Sequence, residues 1–222
     1  MSVARFVAVG AGRMGRSIAT AFAYAGHRVA VVDLRSRTPD QWQALQQEAS
    51  DEVRGSLNSL AELGAFDPAL VASMVERVSW VNEAGADAAL AQAEMVFEGV
   101  PETMAAKQSA MARIGAACRA DAIITSTTSS ILVTDLVPFV AHPGRFLNIH
   151  WLNPAYLIPV VELSTHPRLD PAVLARAKDL MSAIGKLPVV CGPTPGYIVP
   201  RLQALVMNEA ARIQSAAVAM PL

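Results

Sequence analysis

Several things are scarce in this chain of 222 residues, and each scarcity removes a class of function. No apolar run approaches the roughly 18 residues that a membrane-spanning helix requires, although 53% of the residues are hydrophobic. Charge of one sign is not in excess either: 18 basic and 19 acidic residues leave a formal net charge of −1, so no field draws nucleic acid or anionic lipid. The two cysteines, Cys118 and Cys191, make neither a disulfide framework nor a metal cluster and read as core thiols. The four histidines lack the close pairing of a zinc site. Internal repeats, low-complexity tracts and charge runs are missing too. The opening residues MSVARFVAVG pass straight into a strand-like run, so no cleavable leader is expected and the reading places the protein in the cytoplasm.

What the chain does contain is an alternation of short apolar runs with helical segments. Residues 3–9 and 28–34 read as strands, and Met14, Ile18, Ala21, Phe22 and Ala25 fall at helical spacing between them. Further strand-like runs stand at 78–81, 95–98, 122–125, 146–149, 159–163 and 187–191. This order predicts an α/β fold with a Rossmann-type, doubly wound, mostly parallel sheet. A polar stretch over 39–76, with Leu57, Leu60 and Leu63 at helical intervals, predicts one or two helices inserted into that unit. A last helix is expected from Arg201 to about Ala217.

Between the first strand and the first helix stands Gly10-Ala11-Gly12-Arg13-Met14-Gly15, a GxGxxG in the context its mechanism requires. Gly10 permits the tight turn, Gly12 lets the backbone approach a pyrophosphate, and Gly15 lets the helix pack closely. The N–H groups and dipole of that helix then face the phosphates. Asp33 ends the following strand, where a carboxylate can accept hydrogen bonds from ribose hydroxyls. Arg35 and Arg37 lie near enough to accommodate the extra phosphate of NADP, but Asp33 would repel that phosphate, so NAD is the expected cofactor.

A second constellation follows Thr125, in TSTTSSILVTDL and then FLNIHWLNPAYLIPVVEL. His150 and Glu162 are the titratable residues there, on two apolar runs separated by a turn at Asn153-Pro154, so the carboxylate on the return strand could face the imidazole. A histidine so placed suits general-base chemistry, but on these residues alone a histidine at a strand end is more often a satisfied structural residue.

Taken together, VGAGRMG with Asp33, VFEGVPETMAAK, TSTTSSI with IHWLNPAYLIPVVEL, and TPGYIVPRL resemble the L-3-hydroxyacyl-CoA dehydrogenase family over almost the whole chain. The family includes relatives that oxidise free hydroxy acids, such as gulonate or carnitine. The resemblance implies a catalytic dyad at His150 and Glu162, a substrate-contacting serine at Ser129, and Glu102, Lys107 and Asn153 beside cofactor and substrate. It implies oxidation of a 3-hydroxyl with NAD as acceptor, with acyl-CoA substrates ahead of free hydroxy acids, in a homodimer if further C-terminal helices are supplied. Domain limits of 1–193 for the NAD-binding unit and 194–222 for the start of a truncated helical domain follow from the same comparison.

Two positions depart from the family pattern, Pro200 and Thr127 standing where asparagines are usual. The family also continues into a helical domain that completes the substrate cleft, whereas here the sequence ends at Leu222. The last helix is therefore expected to expose Leu202, Leu205, Val206 and Ile213. A catalytically weak NAD-binding protein is the competing reading.

Overall fold

The computed structural model describes residues 5–215. The first half contains β1 (Phe6–Val9), α1 (Arg13–Tyr24), β2 (Val29–Val32), α2 (Pro39–Glu62), α3 (Val71–Val75), β3 (Val78–Val81), α4 (Ala86–Gln92) and β4 (Met95–Glu98). The second contains α5 (Met104–Ala117), β5 (Ile123–Ser126), α6 (Val133–Leu136), β6 (Phe146–Trp151), β7 (Val160–Ser164), α7 (Pro171–Ala183), β8 (Leu187–Cys191) and α8 (Val199–Ser215).

One eight-stranded sheet has the order β3-β2-β1-β4-β5-β6-β7-β8. All neighbours run parallel except β6 and β7. The order reverses between β1 and β4, and the crevice at the carboxyl ends of strands beside such a switch point is where α/β sheets bind ligands. β1 shows how the sheet divides the core: Phe6 and Ala8 join the cluster under α1, α2 and α7, while Val7 and Val9 join the one under α4, α5 and α6. Burial on both faces explains why the central strands read as continuous apolar runs, not as alternating ones.

The 39–76 insertion is one long helix, a 3-10 turn at Pro68–Leu70 and the short α3. Its start is a capping box: Gln41 N–H donates to the Thr38 hydroxyl while Thr38 N–H donates back to the Gln41 side chain. Leu57 and Leu60 are buried as expected, but Leu63 forms the C-cap and is 74% exposed. Arg16 fastens α1 to α2 through Glu48 at 2.8 Å and Glu52 at 2.6 Å.

Strand bounds largely match the apolar runs: 78–81, 95–98 and 187–191 coincide with β3, β4 and β8, β5 and β7 sit one residue later, β6 runs on to Trp151, and only β1 and β2 are shorter, with residues 3 and 4 outside the described part. Both cysteines are free and half-buried, Cys118 as the C-cap of α5 and Cys191 at the end of β8, so neither is a fully interior thiol. α8 is observed through Ser215, and Ala217 lies outside the described residues. Leu202, Leu205, Val206 and Ile213 are exposed along it, as the sequence pattern anticipates, and Met207 is exposed beside them.

Candidate active site

The turn after β1 is built from close backbone approaches. Gly10 has φ +111°, and a Cβ there would stand 2.6 Å from the Gly99 carbonyl oxygen. A Cβ on Gly15 would lie 2.0 Å from the Gly10 oxygen. Gly12, by contrast, faces open space. It is the N-cap of α1, no side chain caps that end, and the first turn holds no acidic residue, so its backbone N–H groups are left for an anion.

A cleft of about 650 Å³ opens there, lined by Gly10, Gly12, Asp33, Arg35, Gly99 and Val100 among others. Asp33 is buried at its edge; its carboxylate accepts from the Arg35 backbone N–H and from Arg37 Nε. The glycine with no Cβ neighbour, the free helix end and the carboxylate at the second strand fit a dinucleotide. Arg13 lines a second cleft of about 310 Å³, between α1, α2 and the β6–β7 turn, together with Asn153. Met14 packs against the core.

The β6–β7 turn is held from three sides. Leu157 and Ile158 N–H donate to the Pro154 carbonyl at 3.0 Å. Ala155 N–H donates to Ser17 Oγ at 2.7 Å. Lys186 Nζ donates to the carbonyls of Ala155 and Ile158 at 2.6 and 2.9 Å.

Antiparallel pairing across this turn sets His150 directly opposite Glu162. His150 Nδ1 is 2.8 Å from Glu162 Oε2, and Nε2 is 3.2 Å from Ser129 Oγ. Glu162 is nearly inaccessible at 1% and His150 at 4%, while Ser129 is exposed. The other carboxylate oxygen of Glu162 accepts the backbone N–H groups of Ile198 and Val199, both at 2.8 Å. A carboxylate can only accept from Nδ1–H, which leaves the Nε2 lone pair toward Ser129.

Glu102 and Lys107 take part in a different arrangement. Lys107 is fully buried and bonds both oxygens of the equally buried Glu98 at 3.1 Å, with Glu102 Oε2 at 3.2 Å. It lines neither cleft. Glu98 also accepts from Ser126 Oγ at 2.6 Å and Val100 N–H at 2.9 Å. Glu102 Oε1 accepts from the Thr128 hydroxyl and from the N–H groups of Ser129 and Ser130, both at 3.0 Å. Burial would push the Glu102 carboxyl up, but the Thr128 bond, the Lys107 charge and the Ser130 bonds hold it down at about 2. These contacts fix the loop that carries Ser129.

The sequence reading missed three participants. Glu98 ends the apolar strand MVFE, and a carboxylate in such a strand is the available signal, since it needs a buried partner. Asn148 Nδ2 donates to the Tyr197 hydroxyl at 2.8 Å, and Tyr197 stacks on His150; neither relationship has a local sequence signature. Pro200 stands in the first turn of α8, where a missing N–H costs nothing. Thr127 is buried, its N–H donated to the Glu98 carbonyl.

Residues 6–194 match the family described as 3-hydroxyacyl-CoA dehydrogenase, NAD binding domain. The chain is 31% identical over 205 residues to 5-formyl-3-hydroxy-2-methylpyridine 4-carboxylate 5-dehydrogenase of Mesorhizobium japonicum, covering 91% of this chain and 62% of the relative. It is 29% identical over 221 residues to the 3-hydroxyadipyl-CoA dehydrogenase of Escherichia coli, covering 100% of this chain and 44% of the relative. Among solved structures, the (S)-3-hydroxybutyryl-CoA dehydrogenase of Ralstonia eutropha superposes with a TM-score of 0.84 at 29% identity, over 99% of this chain and 74% of that one. This chain thus spans about half to two thirds of the curated relatives' length. It belongs to the 3-hydroxyacyl-CoA dehydrogenase family, whose cofactor is NAD, and residues 6–194 are the NAD-binding domain.

Proposed function

We propose that this protein oxidises the 3-hydroxyl of an L-3-hydroxyacyl-CoA to the 3-oxo compound. The observation that carries the reading is the run Ser129 Oγ, His150 Nε2, His150 Nδ1, Glu162 Oε2, with both contacts within 3.2 Å. It ends in an exposed hydroxyl and begins in a buried carboxylate.

In this reading Ser129 hydrogen-bonds the substrate oxygen. His150 Nε2 takes the hydroxyl proton as the C3–O bond becomes a carbonyl. Glu162 holds the tautomer and stabilises the imidazolium that forms, while the N–H groups of Ile198 and Val199 hold Glu162. NAD, when bound, accepts the hydride released from C3. Gly12, Asp33, Asn153, Arg13 and Met14 are the residues assigned to the cofactor side, and Glu102 with Lys107 keeps the serine loop in register. The helical segment from residue 194 belongs to a second unit that would pair in a homodimer, in keeping with the exposed face of α8.

A free hydroxy acid is the second reading, favoured by the 31% identity to a relative named for a free pyridine carboxylate rather than a CoA thioester.

NADH formation from L-3-hydroxybutyryl-CoA, with L-gulonate and L-carnitine alongside, tests the proposal. Turnover of the thioester supports it, turnover of a free acid alone moves the protein to the second reading, and NAD binding with no turnover of any of the three overturns both.

A further inference from the structure

Residues 197–199 contact His150, Glu162 and Thr128, the residue before Ser129. The Tyr197 ring lies 5.0 Å from the His150 imidazole, centroid to centroid, at an interplanar angle of 27°. Its hydroxyl accepts from Asn148 Nδ2 at 2.8 Å and donates to the Thr128 carbonyl at 3.1 Å, one residue before Ser129. The next two N–H groups hold Glu162. Tyr197 is also the one non-glycine with positive φ, +44°, among the described residues. A bulky side chain in left-handed backbone is disfavoured and persists only where its surroundings fix it. Here the surroundings that fix it are the stack and the two hydroxyl bonds.

We propose that Tyr197 is a positioning residue for the hydroxyl-oxidising step, setting the plane of His150 through its ring and the place of Ser129 through its hydroxyl. The ring closes one face of the imidazole, so rotation about χ2, which would break either the Glu162 or the Ser129 contact, is blocked. The hydroxyl ties β6, the serine loop and the start of α8 at one point, and the left-handed turn at Tyr197 aims the N–H groups of Ile198 and Val199 at Glu162. The proton acceptor, its orienting carboxylate and the substrate-contacting serine therefore share one support. Burial raises the phenol above its usual range, as do the charges of Glu102, Cys191 and Glu162, so the hydroxyl stays a donor to Thr128.

This inference rests on the dehydrogenase reading, and two variants in the full chain test it. Tyr197→Leu removes the stack, and Tyr197→Phe keeps the ring but removes the hydroxyl link. With whichever substrate of the panel is turned over, Tyr197→Leu should lower kcat about tenfold or more and Tyr197→Phe about threefold, because misplaced groups lose rate steeply. KM and the Kd for NAD should stay within about twofold. The His150 Nδ1–H proton, bonded to Glu162 and observed by NMR, should broaden or vanish in Tyr197→Leu as the ring loses its fixed orientation. That signal needs no turnover, so it decides the inference even if the wild type oxidises none of the substrates. Equal kcat and an unchanged Nδ1–H signal in a folded Tyr197→Leu would overturn it. If Tyr197→Leu does not fold, Tyr197→Phe decides, with wild-type kcat and an unchanged signal as the contradicting result.

Discussion

The carbonyl oxygen of Gly10 occupies the place where a Cβ on Gly15 would have to go, 2.0 Å away. Helix α1 therefore touches the turn that precedes it, backbone against backbone, while Gly12 between them meets nothing within 4 Å. The two outer glycines serve the protein's own packing, and the middle one leaves room for something that is not protein.

Substituting these glycines should separate folding from cofactor binding. Gly15→Ala should destabilise the fold by about 2 kcal/mol or more, the scale of overpacking against unyielding backbone. Gly12→Ala should unfold at nearly the wild-type urea midpoint yet bind NAD at least about tenfold more weakly, because its methyl would stand where the pyrophosphate approaches. Calorimetric NAD titrations beside urea unfolding check both.

The Glu98–Lys107 pair predicts a second asymmetry. Lys107→Met leaves Glu98 buried without its cation and should cost about 3–5 kcal/mol. Adding Glu98→Gln should recover a substantial part, since the amide keeps the volume and can still accept from Ser126 and Val100. Urea unfolding of the single and double variants measures the recovery.

Glu102 makes stability depend on acid pH. Its folded carboxyl is lowered from 4.5 to about 2 by the Thr128 bond, the Lys107 charge and the Ser130 bonds, against the opposing effect of burial. In the window between those values the unfolded chain binds the proton more readily than the folded one. The contribution is thus complete above about 4.5 and is lost as pH falls toward 2. Because the side chain is 40% exposed, solvent screens part of it. Unfolding free energy should fall less steeply in this window for Glu102→Gln than for the wild type.

Legibility in the sequence followed the range of the interaction. The GxGxxG turn, Asp33 and the succession of strands and helices along the chain were legible because each is encoded within a few residues, and the Thr38–Gln41 capping box could be read the same way. The His150–Glu162 approach was half-legible: a turn between two apolar runs implies a return strand, but the register that sets them opposite is a property of the sheet. Arg13 shows the limit within a motif, since its neighbours decide that it lines the second cleft with Asn153. Tyr197 was not legible at all. It stacks on a residue far away in sequence, and the turn that carries it takes its shape from that contact as much as from Gly196 before it.

Proton acceptance by His150 from the substrate hydroxyl is tested most directly by comparing NADH formation and NAD affinity in the wild type and His150→Ala. Loss of a positioned base should lower kcat by about 10²–10⁴-fold while the Kd for NAD stays within about twofold, as expected if the glycine turn and Asp33 hold the cofactor. Wild-type turnover by His150→Ala would contradict the claim and leave the histidine as a packed strand residue.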